Sequence, residues 1–239
     1  MKLDILYEDN HVIGVYKEPG ILSQRDIRDV PSLQDHVKEY IKKKYNKQGA
    51  VFLGIVHRLD SNVSGIMIFA RTSKAASRLH ESMLQGKIKK FYIAVVHKKS
   101  HIAKGWHLLE DNMQKIFGGS KITNKTEEKT KFVSLSYKCM HDIGQYAILC
   151  IALHTGRKHQ IRAQLSARGM SIVGDSKYGS SEPNAKAIML HAIYLQFPHP
   201  VKDENIELVS EIPERFSKYE KEKCFAKENI LDIIHGFNI

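Results

Sequence analysis

The chain has few of the residues that would staple or anchor it. Its three cysteines, Cys139, Cys150 and Cys224, show no CxxC spacing. That excludes a disulfide framework and a cysteine-based zinc module, and makes a reducing, cytoplasmic setting the expectation. No apolar run approaches the ~20 residues that a membrane-spanning helix requires, and the N-terminus lacks a signal-peptide apolar core. His97, His101 and His107 lie close together without a cysteine or acidic cluster, so they read as surface histidines rather than metal ligands. Internal repeats and low-complexity segments are also absent. What is there is ordinary for a soluble globular chain: 42% hydrophobic and 26% charged residues over 239 positions, enough for one sizeable domain.

One feature of the composition is not ordinary. Lysine and arginine number 37 against 26 acidic residues, a formal net charge of +11. Such an excess points to a polyanionic partner: RNA, DNA or an acidic membrane surface. Because it is spread along the chain without a basic tail, the binding surface should belong to the folded body.

Periodicity gives an alternating set of strands and helices. Leu3 to Tyr7 and Val12 to Tyr16 read as a hairpin, stopped by Lys17-Glu18-Pro19-Gly20. Pro31-Ser32 opens a helix with Leu33, Val37, Tyr40 and Ile41 on its inner stripe, leaving Lys38, Lys42 and Lys43 on a solvated face. Thr72-Ser73 caps a second helix, Lys74 to about Gln85, with Leu79 and Met83 inward and Gly86 ending it. Lys89 to Val96 is a strand; residues 97–130 read as a polar surface excursion with at most short strands such as Trp106 to Leu109. Phe132 to Tyr137 and Tyr146 to Leu153 pair through Gly144, and a helix follows from about Lys158 to Ala167. Ile188 to Phe197 is a further strand. On the third helix Arg162 sits beside an apolar stripe, and an unpaired buried charge is costly, so it calls for a carboxylate.

The chain is organised around Gly54 to Ala70. Two apolar runs, Val51 to Val56 and Gly65 to Ala70, read as strands buried on both faces and flank His57-Arg58-Leu59-Asp60-Ser61-Asn62. Asp60-Ser61-Asn62 is turn chemistry. A charged group at the end of a buried strand is either a turn with solvated side chains or a site held on rigid elements, and spacing alone leaves both open.

Several segments, in this order, resemble the RluA-like family of pseudouridine synthases. His57-Arg58-Leu59-Asp60-Ser61-Asn62-Val63-Ser64-Gly65 looks like the signature around that family's essential aspartate. Lys90-Phe91-Tyr92 resembles its tyrosine-bearing strand, and Thr155-Gly156-Arg157-Lys158-His159-Gln160-Ile161-Arg162 the helix start whose arginine pairs with the aspartate. Gly174-Asp175 through Tyr178-Gly179, Leu190-His191-Ala192 through Pro198-His199-Pro200, and the opening Ile5 to Gly20 match further landmarks. Coverage runs from about residue 3 to 213. Two positions depart from the pattern: Val63, where the family usually has threonine, and Glu18, inserted before Pro19.

The resemblance implies an α+β fold: a mixed, mostly antiparallel central sheet with flanking helices and loops, and an active-site cleft across it. It implies a single catalytic domain over residues 1–239, without the small RNA-binding domain that many relatives carry ahead of it. The activity implied is an isomerase converting specific uridines in ribosomal or transfer RNA to pseudouridine, with Asp60 as catalytic carboxylate. Arg162 would be its counter-charge, and Tyr92 a face for the base and an aid in removing the C5 proton. Arg58 would hold the flipped nucleotide's phosphate or fill the gap left in the RNA helix. Arg157, Lys158 and Lys90 would contact RNA, while Leu59 and Ile161 would keep water out. No metal or other cofactor is implied, nor a membrane or an obligatory protein partner, and a monomer is expected. The rival reading is a non-catalytic RNA-binding or RNA-chaperone protein on the same fold. An Asp-dependent glycosidase would usually need a second carboxylic acid, and the motif stretches offer only Asp175, in a turn of structural character.

Overall fold

The structure is a computed structural model and describes residues 3–27, 29–124, 129–182 and 186–237. In chain order its first elements are β1 (Ile5–Glu8), β2 (Val12–Lys17), α1 (Leu33–Lys44), β3 (Gly54–Ile55), β4 (Ser64–Ala70) and α2 (Ser73–Leu84). Then come β5 (Lys89–His97), β6 (Trp106–Ile116), β7 (Gly119–Thr123), β8 (Thr130–Ile143), β9 (Tyr146–Leu153) and α3 (Gln160–Ser166). The last are β10 (Leu190–Pro198), β11 (Asn205–Val209) and α4 (Lys227–His235). The architecture is α+β with a mostly antiparallel sheet, and every strand pair described below is antiparallel. Contacts cluster into two units, Met1–Lys89 with Tyr194–Ser210, and Lys90–Ile193 with Glu211–Ile239.

In the first unit β2 pairs with β1 on one side and β4 on the other, from Val12 opposite Ala70 to Lys17 opposite Gly65. All seven residues of β4 are buried, as a run apolar on both faces requires. Ile66, Ile68 and Ala70 join Val12, Ala75 and Leu79 of α2, and Leu195, Phe197 and Leu208, in one core cluster. Gly14 lets β11 approach: a Cβ there would lie 2.6 Å from Leu208 Cδ1. Helix α1 starts at Ser32, whose Oγ accepts from Asp35 N–H while the Asp35 carboxylate accepts from Ser32 N–H, and buries Leu33, Val37 and Ile41. Lys42, Lys43 and Lys44 are exposed in its last turn, where cations suit the helix dipole, so that basic run is a solvated face. The strand expected over Val51 to Val56 is reduced to Gly54–Ile55, and within the run only Leu53 is buried.

In the second unit the strand order is β5-β9-β8-β6-β7. The excursion expected over residues 97–130 holds an eleven-residue strand, β6, and a hairpin partner, β7. Here Leu109 and Met113 turn inward, and between them Asp111 accepts from Arg168 (2.7 and 2.9 Å) and Gln164 (2.7 Å) of the helix side. A polar strand is thus tied down by side-chain pairs rather than by apolar area. Helix α3 is buried over Gln160 to Leu165, more completely than a single stripe predicts. Helix α4, unread in the mixed-charge C-terminal sequence, buries Ile230 and Ile234.

Candidate active site

Asp60 stands in a turn between β3 and β4, half-buried, with Leu59 buried before it and Arg58 exposed. The turn closes through Asp60's backbone carbonyl, which accepts from Val63 N–H at 3.1 Å. Its flanks are clamped by side chains from far away in sequence. Ser23 Oγ donates to Leu59 C=O at 2.6 Å and accepts from Leu59 N–H at 3.1 Å. The Lys17 ammonium, on a residue that is 0% exposed, donates to the carbonyls of Glu18 (2.9 Å), Ile21 (2.9 Å) and Ser61 (3.1 Å). Gly20 N–H donates to the same Ser61 carbonyl at 2.6 Å. His57 Nε2 accepts from Ile68 N–H at 3.2 Å, which makes it a tie to β4. The Lys17 bonds are charge-assisted and therefore the strong ones, and with the Ser23 and Gly20 bonds they fix the backbone on both sides of Asp60.

The other candidate residues belong to the second unit. Tyr92 is buried in β5 opposite Ile151. Lys90, two residues earlier, is 8% exposed; burial pushes its amine below the usual lysine range, and it makes no ion pair or hydrogen bond among the described residues. Its Nζ lies under Gly156, where an added Cβ would sit 3.3 Å from it. Arg157 and Lys158 are exposed beside that glycine. The loop is shaped by buried Gln160: its Oε1 accepts from Thr155 Oγ1 (2.8 Å) and Arg157 N–H (3.1 Å), and its Nε2 donates to Ser134 C=O (3.1 Å) and Gln164 Oε1 (3.0 Å). His159 takes a left-handed conformation, φ 58°, before α3 begins.

Arg162 has the carboxylate that its burial called for. Within the second unit this is Asp175, whose Oδ2 and Oδ1 accept from Nε at 2.7 Å and Nη2 at 2.8 Å. The guanidinium carbon stands 4.9 Å from the Tyr178 ring centroid. Tyr178 Oη in turn donates to Ser120 C=O (3.1 Å), accepts from Ser120 N–H (3.0 Å) and lies 3.0 Å from His159 Nδ1. A bidentate pair plus a ring face fixes the plane of the guanidinium. Ile161, beside it on α3, is buried.

Lys17, Ser23, Gln160 and Tyr178 were not singled out as supports from sequence. For Lys17 a signal existed: it shares the inward face of β2 with Ile13 and Val15. Among the described residues no group of three or more His, Cys, Asp or Glu could hold a metal, and no helix is long and apolar enough to cross a membrane. All three cysteines are free, and burial pushes the Cys150 thiol up to about 12.

The model of the RNA pseudouridylate synthase family matches residues 11–167, well over half of the chain. The chain belongs to that family. It is therefore an isomerase that converts uridine in RNA to pseudouridine. A Bacillus subtilis relative, described as an uncharacterized RNA pseudouridine synthase, is 32% identical over 218 residues, covering 90% of this chain and 75% of its own. The ribosomal large subunit pseudouridine synthase C of Rickettsia bellii is 29% identical over 218 residues, 90% of this chain and 70% of that one. The tRNA pseudouridine synthase C of Haemophilus ducreyi is 28% identical over 223 residues, with 84% and 87% covered. The solved structure of human RNA pseudouridylate synthase domain containing 1 shares the fold, with a TM-score of 0.73 at 20% identity over 99% of this chain and 96% of that one.

Proposed function

We propose that this chain isomerises specific uridines in structured ribosomal or transfer RNA, with Asp60 as the catalytic carboxylate. The reaction breaks the bond from the ribose anomeric carbon to N1 and forms one from that carbon to C5; C5 loses a proton and N1 gains one. A carboxylate can open it by attacking the anomeric carbon or by starting glycal formation. The observation that carries the assignment is the build of the Asp60 turn: Lys17, Ser23 and Gly20 fix the backbone on both sides of it, and the turn itself closes through the Asp60 backbone carbonyl. Rigid backbone around one acid is what positioning catalysis demands.

Arg162 is the counter-charge in this reading, held in plane by Asp175 and Tyr178 before substrate arrives. Tyr92 supplies the surface for the base and assists C5 deprotonation. Arg58, exposed beside Asp60, meets the flipped nucleotide's phosphate or the gap it leaves, and flipping costs a few kcal/mol. Lys90, Arg157 and Lys158 bind RNA phosphates, offsetting that cost. For Lys90 the support is physical: an ammonium disfavoured by burial, and without an ion pair among the described residues, gains most from an arriving anion. Leu59 and Ile161 exclude water.

The test is to express wild type and Asp60→Asn in cells lacking the endogenous enzyme and map pseudouridine across ribosomal and transfer RNA. Wild type should restore modification at discrete positions and Asp60→Asn at none. Restoration by Asp60→Asn would remove the assignment of the catalyst; no restoration by wild type in either RNA would remove these substrates.

A further inference from the structure

Lys17 and Lys90 are the buried lysines among the described residues, and the fold treats them differently. The Lys17 ammonium donates to three carbonyls. Lys90 has no hydrogen bond or ion pair among those residues. An unpaired buried ammonium is costly, so burial pushes this amine below the usual lysine range, towards the neutral form that carries a lone pair. Where the side chain ends gives that lone pair a use. Nζ lies against Gly156, and a Cβ added there would sit 3.3 Å from it. Gly156 itself is exposed, so the stem is buried while the amine ends beneath a residue with no side chain to cover it. Arg157 and Lys158, both exposed, follow in the same loop. Buried Gln160 keeps that loop in shape, accepting from Thr155 Oγ1 at 2.8 Å and from Arg157 N–H at 3.1 Å. A desolvated lysine near other cations is an activated nucleophile, and cations at an entrance draw in anionic reagents.

We propose that Lys90 is an acylation site, whose amine takes the acyl group of an acyl phosphate. Nζ attacks the carbonyl carbon of the mixed anhydride and forms the C–N bond. The C–O bond to phosphate breaks, phosphate leaves with that electron pair, and the proton lost from the amine passes to water. The product is an amide, which cannot carry the charge of an ammonium. In the reading above, where Lys90 binds an RNA phosphate, acylation switches that contact off. This consequence rests on that reading; the acylation itself does not.

The test incubates the full chain with deuterated acetyl phosphate and follows the labelling rate of each lysine by peptide mass spectrometry. Lys90 should be labelled at least severalfold faster than Lys42 and Lys47, which lie exposed in water. Gly156→Ala sets a methyl group against Nζ and should slow labelling severalfold at Lys90 while the other lysines keep their rates. Arg157→Ala should slow the reaction with acetyl phosphate but not with the uncharged donor N-acetylimidazole. Labelling of Lys90 in the wild type no faster than at Lys42 and Lys47 would overturn the proposal, whatever the folding of the variants. So would a Gly156→Ala protein that reacts at Lys90 as fast as wild type. Failure of the RNA-binding reading looks different: protein fully acylated at Lys90, or Lys90→Gln, would form pseudouridine at the wild-type rate, with the labelling preference intact.

Discussion

Replacing Lys17 with methionine tests whether the Asp60 turn is fixed from below. Methionine has similar length and fits an apolar site, so the perturbation removes the ammonium and little volume. The ammonium donates to three carbonyls. Hydrogen bonds to charged groups contribute about 1.5–3 kcal/mol each, but burying the ammonium costs several kcal/mol in return. Ser61 C=O keeps the Gly20 N–H after substitution, while the carbonyls of Glu18 and Ile21 lose the ammonium. The net loss is then about 3 kcal/mol, close to the lower end for breaking a buried charged set. For a chain of this size that lowers Tm by about 6–12 °C. The more telling readout is activity well below Tm, followed as tritium released from RNA labelled at C5 of uridine. If Lys17 positions Asp60 through Ser61, kcat falls at least about tenfold while RNA affinity holds, since a small misplacement of a reacting group is enough. A variant that melts early but turns over normally would refute the positioning argument. One that melts with wild type would refute the energetics as well.

Three further outcomes can be checked. Asp175→Asn leaves the buried Arg162 guanidinium without its bidentate carboxylate and should cost about 3–5 kcal/mol, read by urea unfolding; a loss below about 1 kcal/mol would show the pair to be dispensable. Gly54→Ala puts a Cβ 2.9 Å from Ala76 Cβ, two groups that cannot swing aside, and should cost about 1–3 kcal/mol by the same assay, with no loss sinking the tight α2–β3 contact. Burial, with Arg215 nearby, pushes His191 down to about 3, so the unfolded chain binds the extra proton below its ordinary value near 6.5. That contribution is complete above pH 6.5 and is lost as pH falls, at about 1.4 kcal/mol per unit, with half-buried His154, also pushed down by burial, adding in the same sense. His191→Gln should flatten the dependence between about pH 6 and 4.5, above the window where Asp9, held at about 2, begins to matter; an unchanged slope would refute the assignment.

What was legible in the sequence divides along a physical line. Periodicity and caps read well: β4 is buried on both faces, α1 starts at Ser32, and α2 starts after Thr72, whose Oγ1 accepts from Ala75 N–H at 3.1 Å. Those signals are local, one residue against its chain neighbours. The β6–β7 hairpin reads as an excursion because its inward positions, Leu109 and Met113, are spaced by an aspartate that looks solvated until Gln164 of α3 and Arg168, just beyond that helix, meet it. The Val51 to Val56 run misled in the opposite sense, being apolar yet mostly half-buried.

The same line runs through the candidate site. Asp60, Tyr92 and Arg162 could be named because their motifs resemble a family; their supports could not, since each is defined by a partner distant in sequence. Ser23 reaches Leu59 across 36 positions and Lys17 reaches Ser61 across 44. Yet the supports share a trace. Lys17 falls on the inward face of an apolar strand, and Gln160, Arg162 and Gln164 lie on a helix buried nearly all round. A polar group on a buried face must be satisfied or it costs several kcal/mol. Each such position therefore announces a network before its partner is known. In this chain those networks converge on the backbone beside Asp60 and on the plane of Arg162, which is where the proposed chemistry needs rigidity.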